Sequence, residues 1–203
     1  AASDVYKRQD HIYTLSKGIS WITFQNECAA IRIDDQLCKQ GKGITLYSFF
    51  KQNLKGDKIY TVFEDSEGDE WILTNKGISI IGKKQVDSDF PFQYIKEADG
   101  IIYLVSQSDK LASYNFKTRQ FKFIEIPYHV SMINEVKKFD SNTLLLATDN
   151  GLIIYKIKEK EFQLIDIRTS TQPSNVVQSV YQDHYKELWI FPQTTGVIRY
   201  NPS

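Results

Sequence analysis

Two cysteines, three histidines and no surplus of either charge leave this 203-residue chain with little of the material from which common sites are built. Lys and Arg number 25 and Asp and Glu number 25, interspersed along the sequence. No basic stripe exists to gather phosphates, so no nucleic-acid partner is expected. No apolar run approaches the roughly 20 residues that a membrane helix needs, and no signal peptide is visible, so no direct membrane contact is expected of this stretch. His11, His129 and His184 lie far apart without paired spacing, which predicts no zinc site. Cys28 and Cys38 flank a predicted strand over residues 29–33, and a bridge would fold the chain back sharply within nine intervening residues. Two reduced thiols are therefore expected, with a disulfide in an oxidising compartment as the alternative. A Ser-His-Asp arrangement, a phosphate loop and a nucleotide fingerprint are all missing. No amphipathic helical stretch exceeds a turn or two.

What the chain has in quantity is aromatic residues and repetition. Hydrophobic residues are 41% and charged residues 25%, a globular balance, and aromatics reach 13% with 12 Tyr and 12 Phe, which favours sheet over helix. The clearest repeat runs Ile59-Tyr-Thr-Val-Phe-Glu-Asp65-Ser-Glu-Gly68-Asp-Glu-Trp71-Ile-Leu-Thr74-Asn-Lys-Gly77-Ile: a strand, an acidic-glycine turn, a Trp-led strand, a second turn and a third strand. It returns around Tyr103, around Leu145 and around Trp189, and in a worn form at Trp21. These anchors are 50, 32, 42 and 44 positions apart, which is the spacing of a β-propeller blade. The fold class predicted is all-β: a partial propeller of about five four-stranded antiparallel blades, the last incomplete.

The blades are read at about 10–51, 59–90, 91–127, 132–169 and 176–203, together a propeller arc over 10–203 that belongs to a larger propeller. Strands are expected near Ile12–Leu15, Ile19–Phe24, Ala29–Ile33 and Ile44–Phe50 in the first blade, with a weak or missing outer strand in the second. Asp65-Ser-Glu-Gly68, Asp99-Gly100, Ser141-Asn142 and Asp149-Asn-Gly151 read as hairpin turns that use positive φ. Residues 1–9, with Asp4-Val-Tyr-Lys-Arg-Gln9, look like the translation of a sequencing-library adaptor, a processing scar set aside from the fold.

The consensus of strand, Asp-Ser-x-Gly, x-x-Trp-Ile-x-Thr, x-x-Gly-Ile resembles the two-component regulator propeller repeat. The match is strongest from Glu64 through Ile78 and partial at Ala147–Leu152 and Asp183–Tyr200. Departures are Leu73 where the repeat has Gly, Tyr103 in place of the Trp, and Pro192 inside the last blade. That resemblance implies a ligand-sensing segment, recognising an oligosaccharide, from the periplasmic sensor region of a hybrid two-component histidine kinase whose parent protein is a homodimer. The alternatives are a scaffold for protein partners and, behind it, a carbohydrate-active enzyme.

Candidate chemistry is thin. The acidic cluster Glu64, Asp65, Glu67, Asp69 and Glu70 lacks the alternating oxygen ligands and terminal Glu of a calcium loop and reads as a solvated hairpin tip. It partly matches the sialidase Asp-box, but Phe63 stands in the Ser position, and Arg32, Arg119, Arg168 and Arg199 are scattered one per blade rather than clustered. No catalytic residue, metal ligand or cofactor is predicted. Tyr47, Tyr60, Tyr94, Tyr128, His129 and Tyr181 sit on elements suited to stacking against sugars, yet each reads first as a core residue, so the ligand-binding residues stay unassigned.

Overall fold

The structure, a computed structural model, describes residues 9–24, 29–48, 54, 56, 58–83, 91–115, 118, 120–194 and 196–202. Over these the alternation of short apolar segments with turn residues produces strands and almost no helix. The first sheet holds β1 (Gln9–Thr14), β2 (Ile19–Phe24), β3 (Ala29–Asp34) and β4 (Ile44–Ser48), and the second holds β5 (Ile59–Glu64), β6 (Glu70–Thr74) and β7 (Gly77–Ile80). The third is built from β8 (Phe92–Ala98), β9 (Ile101–Ser106), β10 (Leu111–Asn115) and β11 (Gln120–Ile124). The fourth is built from β12 (Ile133–Asp140), β13 (Thr143–Thr148), β14 (Gly151–Lys156) and β15 (Glu161–Ile165). The fifth has β16 (Val177–Gln182), β17 (Leu188–Pro192) and β18 (Ile198–Tyr200). In every sheet the strands lie side by side in chain order, the up-and-down pattern of propeller blades. Beside a short 3-10 turn at Ser16–Gly18, one α-helical turn, Asp35–Cys38, is capped by the Asp34 carboxylate, which accepts from the amides of Gln36 and Leu37.

Of the segment read as an adaptor scar, residues 1–8 lie outside the described residues, and Gln9 opens β1 opposite Phe24. Residues 49–50, read as the end of the first blade, and 84–90, where the second blade ends, also lie outside them.

The chain divides into two units, residues 1–93 and 94–203. In the first unit Trp21 and Ala30 of the first sheet pack with Ile59, Val62 and Ile72 of the second. In the other unit Tyr103, Val105 and Leu111 of the third sheet meet Val136, Leu144, Leu146, Ile153 and Tyr155 of the fourth. The opposite face of that fourth sheet, carrying Leu145, Ala147, Leu152 and Ile154, meets Val177, Val180, Leu188 and Ile190 of the fifth. The second strand of the fourth sheet, β13, is thus apolar on both faces because both are covered, which explains the uninterrupted burial of Leu144–Thr148.

Turn chemistry differs from expectation in one place. Asp99 and Gly100 take φ of 51° and 69°, as a two-residue hairpin requires. Ser141-Asn142 does not join the positive-φ set. Instead a register shift between Lys138 and Asp140 absorbs the twist, and the Asp140 carboxylate accepts from the Asn142 amide at 2.7 Å.

Gly151 (φ 99°) and Lys186 (φ 64°) are two positions held in the left-handed region. A Cβ on Gly151 would stand 2.6 Å from the Ile165 carbonyl oxygen. Gly151→Ala is expected to lower stability by about 2 kcal/mol or more, and Lys186→Gly to raise it by about 0.5–1 kcal/mol because a left-handed residue loses its Cβ conflict. Urea midpoints followed by tryptophan fluorescence check both signs.

Candidate functional site

The first strand of a blade repeats its buried positions every third residue rather than every second. Ile59 and Val62, Ile133 and Val136, and Val177 and Val180 are buried pairs of this kind. Each pair brackets a register shift, between Ile59 and Thr61, Ile133 and Glu135, and Val177 and Ser179. One extra residue in the strand adds one to the alternation and turns two neighbouring side chains out of the sheet's packed face. In residues 94–203 those freed side chains are polar, and they lace successive first strands together. The Tyr94 hydroxyl of β8 donates to the carbonyls of Ile133 and Asn134 at 3.2 and 2.8 Å. Asn134 Nδ2 donates to the Val177 carbonyl at 2.8 Å, and Glu135 Oε2 accepts from the Val180 amide at 3.0 Å. Glu135 Oε1 takes the Lys137 ammonium at 3.0 Å.

Lys96, two residues beyond Tyr94, completes the group. It is half-buried; desolvation pushes its ammonium below the usual lysine range, the Lys137 charge pushes it further, and Glu135 opposes both. The Tyr94 phenol is raised, first by burial and then by Glu135. Tyr94, Lys96, Asn134, Glu135 and Lys137 therefore form one electrostatically linked patch on adjoining first strands. The patch offers two ammonium groups and Tyr94's oxygen lone pairs. Sequence reading missed it, although the period-three spacing of aliphatic residues in Ile59/Val62, Ile133/Val136 and Val177/Val180 was there to signal the bulge.

The acidic cluster is not a solvated tip throughout. Asp65 is buried: Oδ1 accepts from the amides of Glu67 and Asp69, and Oδ2 accepts from the Trp71 indole at 2.8 Å. Asp183 repeats this with the amides of Tyr185 and Glu187 and with the Trp189 indole at 2.9 Å. Those hydrogen bonds, the Trp189 indole's foremost, hold the Asp183 carboxyl below its usual range. Glu70 is also buried, because β6 must place it against the first sheet. There it accepts from the Trp21 indole at 2.6 Å and from Arg32 Nε and Nη2 at 2.9 and 2.7 Å, a fork that raises the Arg32 pKa. Glu64 binds the Ser16 amide and hydroxyl and is lowered by them, Asp69 pairs with Lys83, and Glu67 is exposed. Glu64, Asp65, Asp69 and Glu70 thus act as structural staples.

The other residues singled out by sequence do not converge. Tyr47 lies 4.9 Å from the Trp21 ring, Lys58 stands over Tyr60, and the Tyr128 hydroxyl donates to the Phe162 carbonyl. His129 is exposed, and Tyr181 is 60% exposed. Arg168 pairs with Asp166 and Arg199 with Glu187, while Arg119 lies outside the described residues. Cys38 is an exposed free thiol, and Cys28 lies outside the described residues. Among the described residues no three His, Cys, Asp or Glu side chains gather as metal ligands.

Two outcomes follow. Glu70→Gln removes the nearer of the two carboxylates on the Arg32 guanidinium, leaving Asp34 at 3.4 Å, and is expected to cost about 2 kcal/mol, read as a urea midpoint. Tyr103, pushed up to about 12 by burial beside Tyr155, keeps its proton in the folded state above the pH at which the unfolded chain releases it. Its contribution is therefore complete below about pH 10 and is lost as pH rises from there toward 12. Tyr103→Phe should flatten that alkaline fall in a comparison of urea midpoints at pH 9 and 11.

No family model matches the sequence, and no curated protein does. Solved structures do. The extracellular domain of the hybrid two-component system BT3049 from B. thetaiotaomicron superimposes with a TM-score of 0.71 at 19% identity, over 96% of this chain and 27% of that one. The extracellular domain of BT4673 from the same organism gives 0.71 at 19%, over 95% and 27%. Virginiamycin B lyase from Staphylococcus aureus gives 0.71 at 17%, over 97% and 71%. The chain spans about a quarter of the length of the two sensor domains. At such identities the likeness is one of fold, and the fold is all-β, built of propeller blades as the repeats predict.

Proposed function

We propose that this chain is a ligand-sensing propeller segment from the extracytoplasmic region of a hybrid two-component histidine kinase, and that its ligand is an oligosaccharide. The observation that carries the reading is the shared fold with the extracellular domains of BT3049 and BT4673, which extends over nearly all of this chain. The repeat consensus around Asp65, Gly68, Trp71 and Thr74 supports the same assignment. So does the polar patch on β8 and β12, since sugars are held by hydrogen-bonding groups fixed on a rigid frame. No helix among the described residues is long and apolar enough to cross a membrane, which suits a segment standing outside one. In the parent protein a homodimer would carry the signal, and the segment itself would bind without turnover.

The test is calorimetric titration of the chain, and of the complete ectodomain encoded by the uninterrupted gene, with a panel of plant and host oligosaccharides. Saturable binding without cleavage, with a membrane helix and kinase encoded downstream, is the expected outcome. A lyase also shares this fold, so turnover of an oligosaccharide by the chain would move the reading to an enzyme. Failure of every sugar on both proteins would overturn it.

A further inference from the structure

We propose that the Tyr181–Trp189–Arg199 face of the fifth sheet docks on the outer aliphatic face of the first sheet of a second copy of this chain, joining copies head to tail. The inference rests on packing alone and is independent of the sensor reading.

In each of the three sheet contacts inside the two units, unlike faces join. Trp21 of β2 packs with Val62 and Ile72, cross-strand neighbours in the second sheet. Tyr103 of β9 packs with the neighbours Val136 and Leu146, and Leu145 of β13 with the neighbours Val180 and Ile190. One sheet offers the anchor of its second strand, and the next offers the row through the residue after its own anchor. In the first sheet that residue is Ile22, which points away from the second sheet because Trp21 points toward it. Ile12, Ile22, Ile31 and Leu46 are successive cross-strand neighbours through all four strands. The equivalent row of the fourth sheet, Val136, Leu146, Ile153 and Leu164, lies in the core. In the first sheet, by contrast, Ile12 is 57% and Leu46 41% exposed, and Ile44 on the same face is 71% exposed. The fifth sheet shows the complementary state. Leu145 is buried at the anchor of the fourth sheet, whereas Trp189 is only half-buried between its neighbours Tyr181 and Arg199, both exposed. Each exposed face is therefore one half of a contact that the molecule builds elsewhere.

The polar groups decide what kind of cover fits over Trp189. Tyr181–Trp189–Arg199 repeats, residue type for residue type, the row Tyr13–Trp21–Arg32 of the first sheet. That earlier row draws a carboxylate from its cover, since Glu70 of β6 accepts from the Trp21 indole and from Arg32. In the fifth sheet both acids come from the sheet's own hairpin: Asp183 takes the Trp189 indole and Glu187 takes Arg199. Its cover need bring no acid, so an uncharged face suffices. The row through Ile22, with Ile33 and Ile44 beside it, is such a face, and its aliphatic side chains meet large aromatic ones as they do in the contacts already formed. Because the two faces differ, the contact is heterologous: each copy keeps one open face of each kind, and association does not stop at two.

Analytical ultracentrifugation of the intact chain at rising concentration should show its mass climbing past that of two copies. Ile12→Lys and Tyr181→Lys, both at exposed positions, should each weaken self-association about ten-fold or more, because a lysine would be buried in the contact. An equimolar mixture of the two variants should regain the wild-type affinity but stop at a dimer, since only one intact pair of faces remains. Ile44→Lys repeats the first-sheet block at a more exposed position, which keeps the test decisive if Ile12→Lys unfolds. A wild-type chain that stays monomeric at every concentration, or a mixture that does not associate, overturns the proposal. So does loss of association in the first-sheet variants with Tyr181→Lys unaffected, which would mean that like faces pair. The complete ectodomain encoded by the uninterrupted gene distinguishes the remaining occupant. If it is a monomer in which Tyr181 resists nitration, the cover is a further sheet of the same chain and the second-copy proposal falls.

Discussion

A strand that is apolar on both faces must be covered twice, and that constraint organises everything else in this chain. β13 shows it most plainly. Leu144 and Leu146 pack toward the third sheet while Leu145 and Ala147 pack toward the fifth, so one strand serves two cores. A sheet built around such a strand is not a stable object alone, because half of its apolar surface would face water. The repetition in the sequence is the record of this: each segment supplies one cover for its predecessor and requires one from its successor.

The same constraint separates the places where sidedness matters from those where it does not. First strands carry a bulge, and the bulge releases pairs of residues from core duty. Tyr60 and Thr61, Asn134 and Glu135, and Gln178 and Ser179 are such pairs. Because these positions need not be apolar, they can differ from blade to blade while the fold is kept. Variation there is therefore informative about function in a way that Leu144 or Ile153 is not. In residues 94–203 the variation places hydrogen-bonding groups along the first strands of three successive sheets.

The fold was legible because its signals are local and repeated. Trp71, Asp65 and Gly68 announce a hairpin within seven residues, and the hairpin recurs. What was not legible was long-range. Glu70 looks like one more acid in a hydrophilic turn, and only the arrival of Trp21 and Arg32 from the first sheet, 49 and 38 positions away, converts it into a buried staple. Tyr94, by contrast, was visible as a residue but not as part of a patch, since its partners lie 39 and 40 positions on. Ser141-Asn142 failed for a different reason: its composition permits positive φ, but the bulge beside Asp140 supplies the twist by another route.

Trp71 and Trp189 show how far the local part of the design is independent of the packing around it. Both indoles donate to the aspartate six residues earlier, at 2.8 and 2.9 Å, and both aspartates gather two amides of the same turn. Yet Trp71 is fully buried, whereas Trp189 is half-buried on a sheet face it shares with Tyr181 and Phe191, 60% and 37% exposed. A staple formed only under a covering sheet would be lost at Trp189, and it is not. The turn and its tryptophan are therefore set by the hairpin's own hydrogen bonds, and the covering sheet adds burial to a geometry already made. Arg199 completes the argument from the other side. It lies 6.0 Å over the Trp189 ring and is forked onto Glu187, so that where a hydrophobic cover is thin, a guanidinium shields the indole instead.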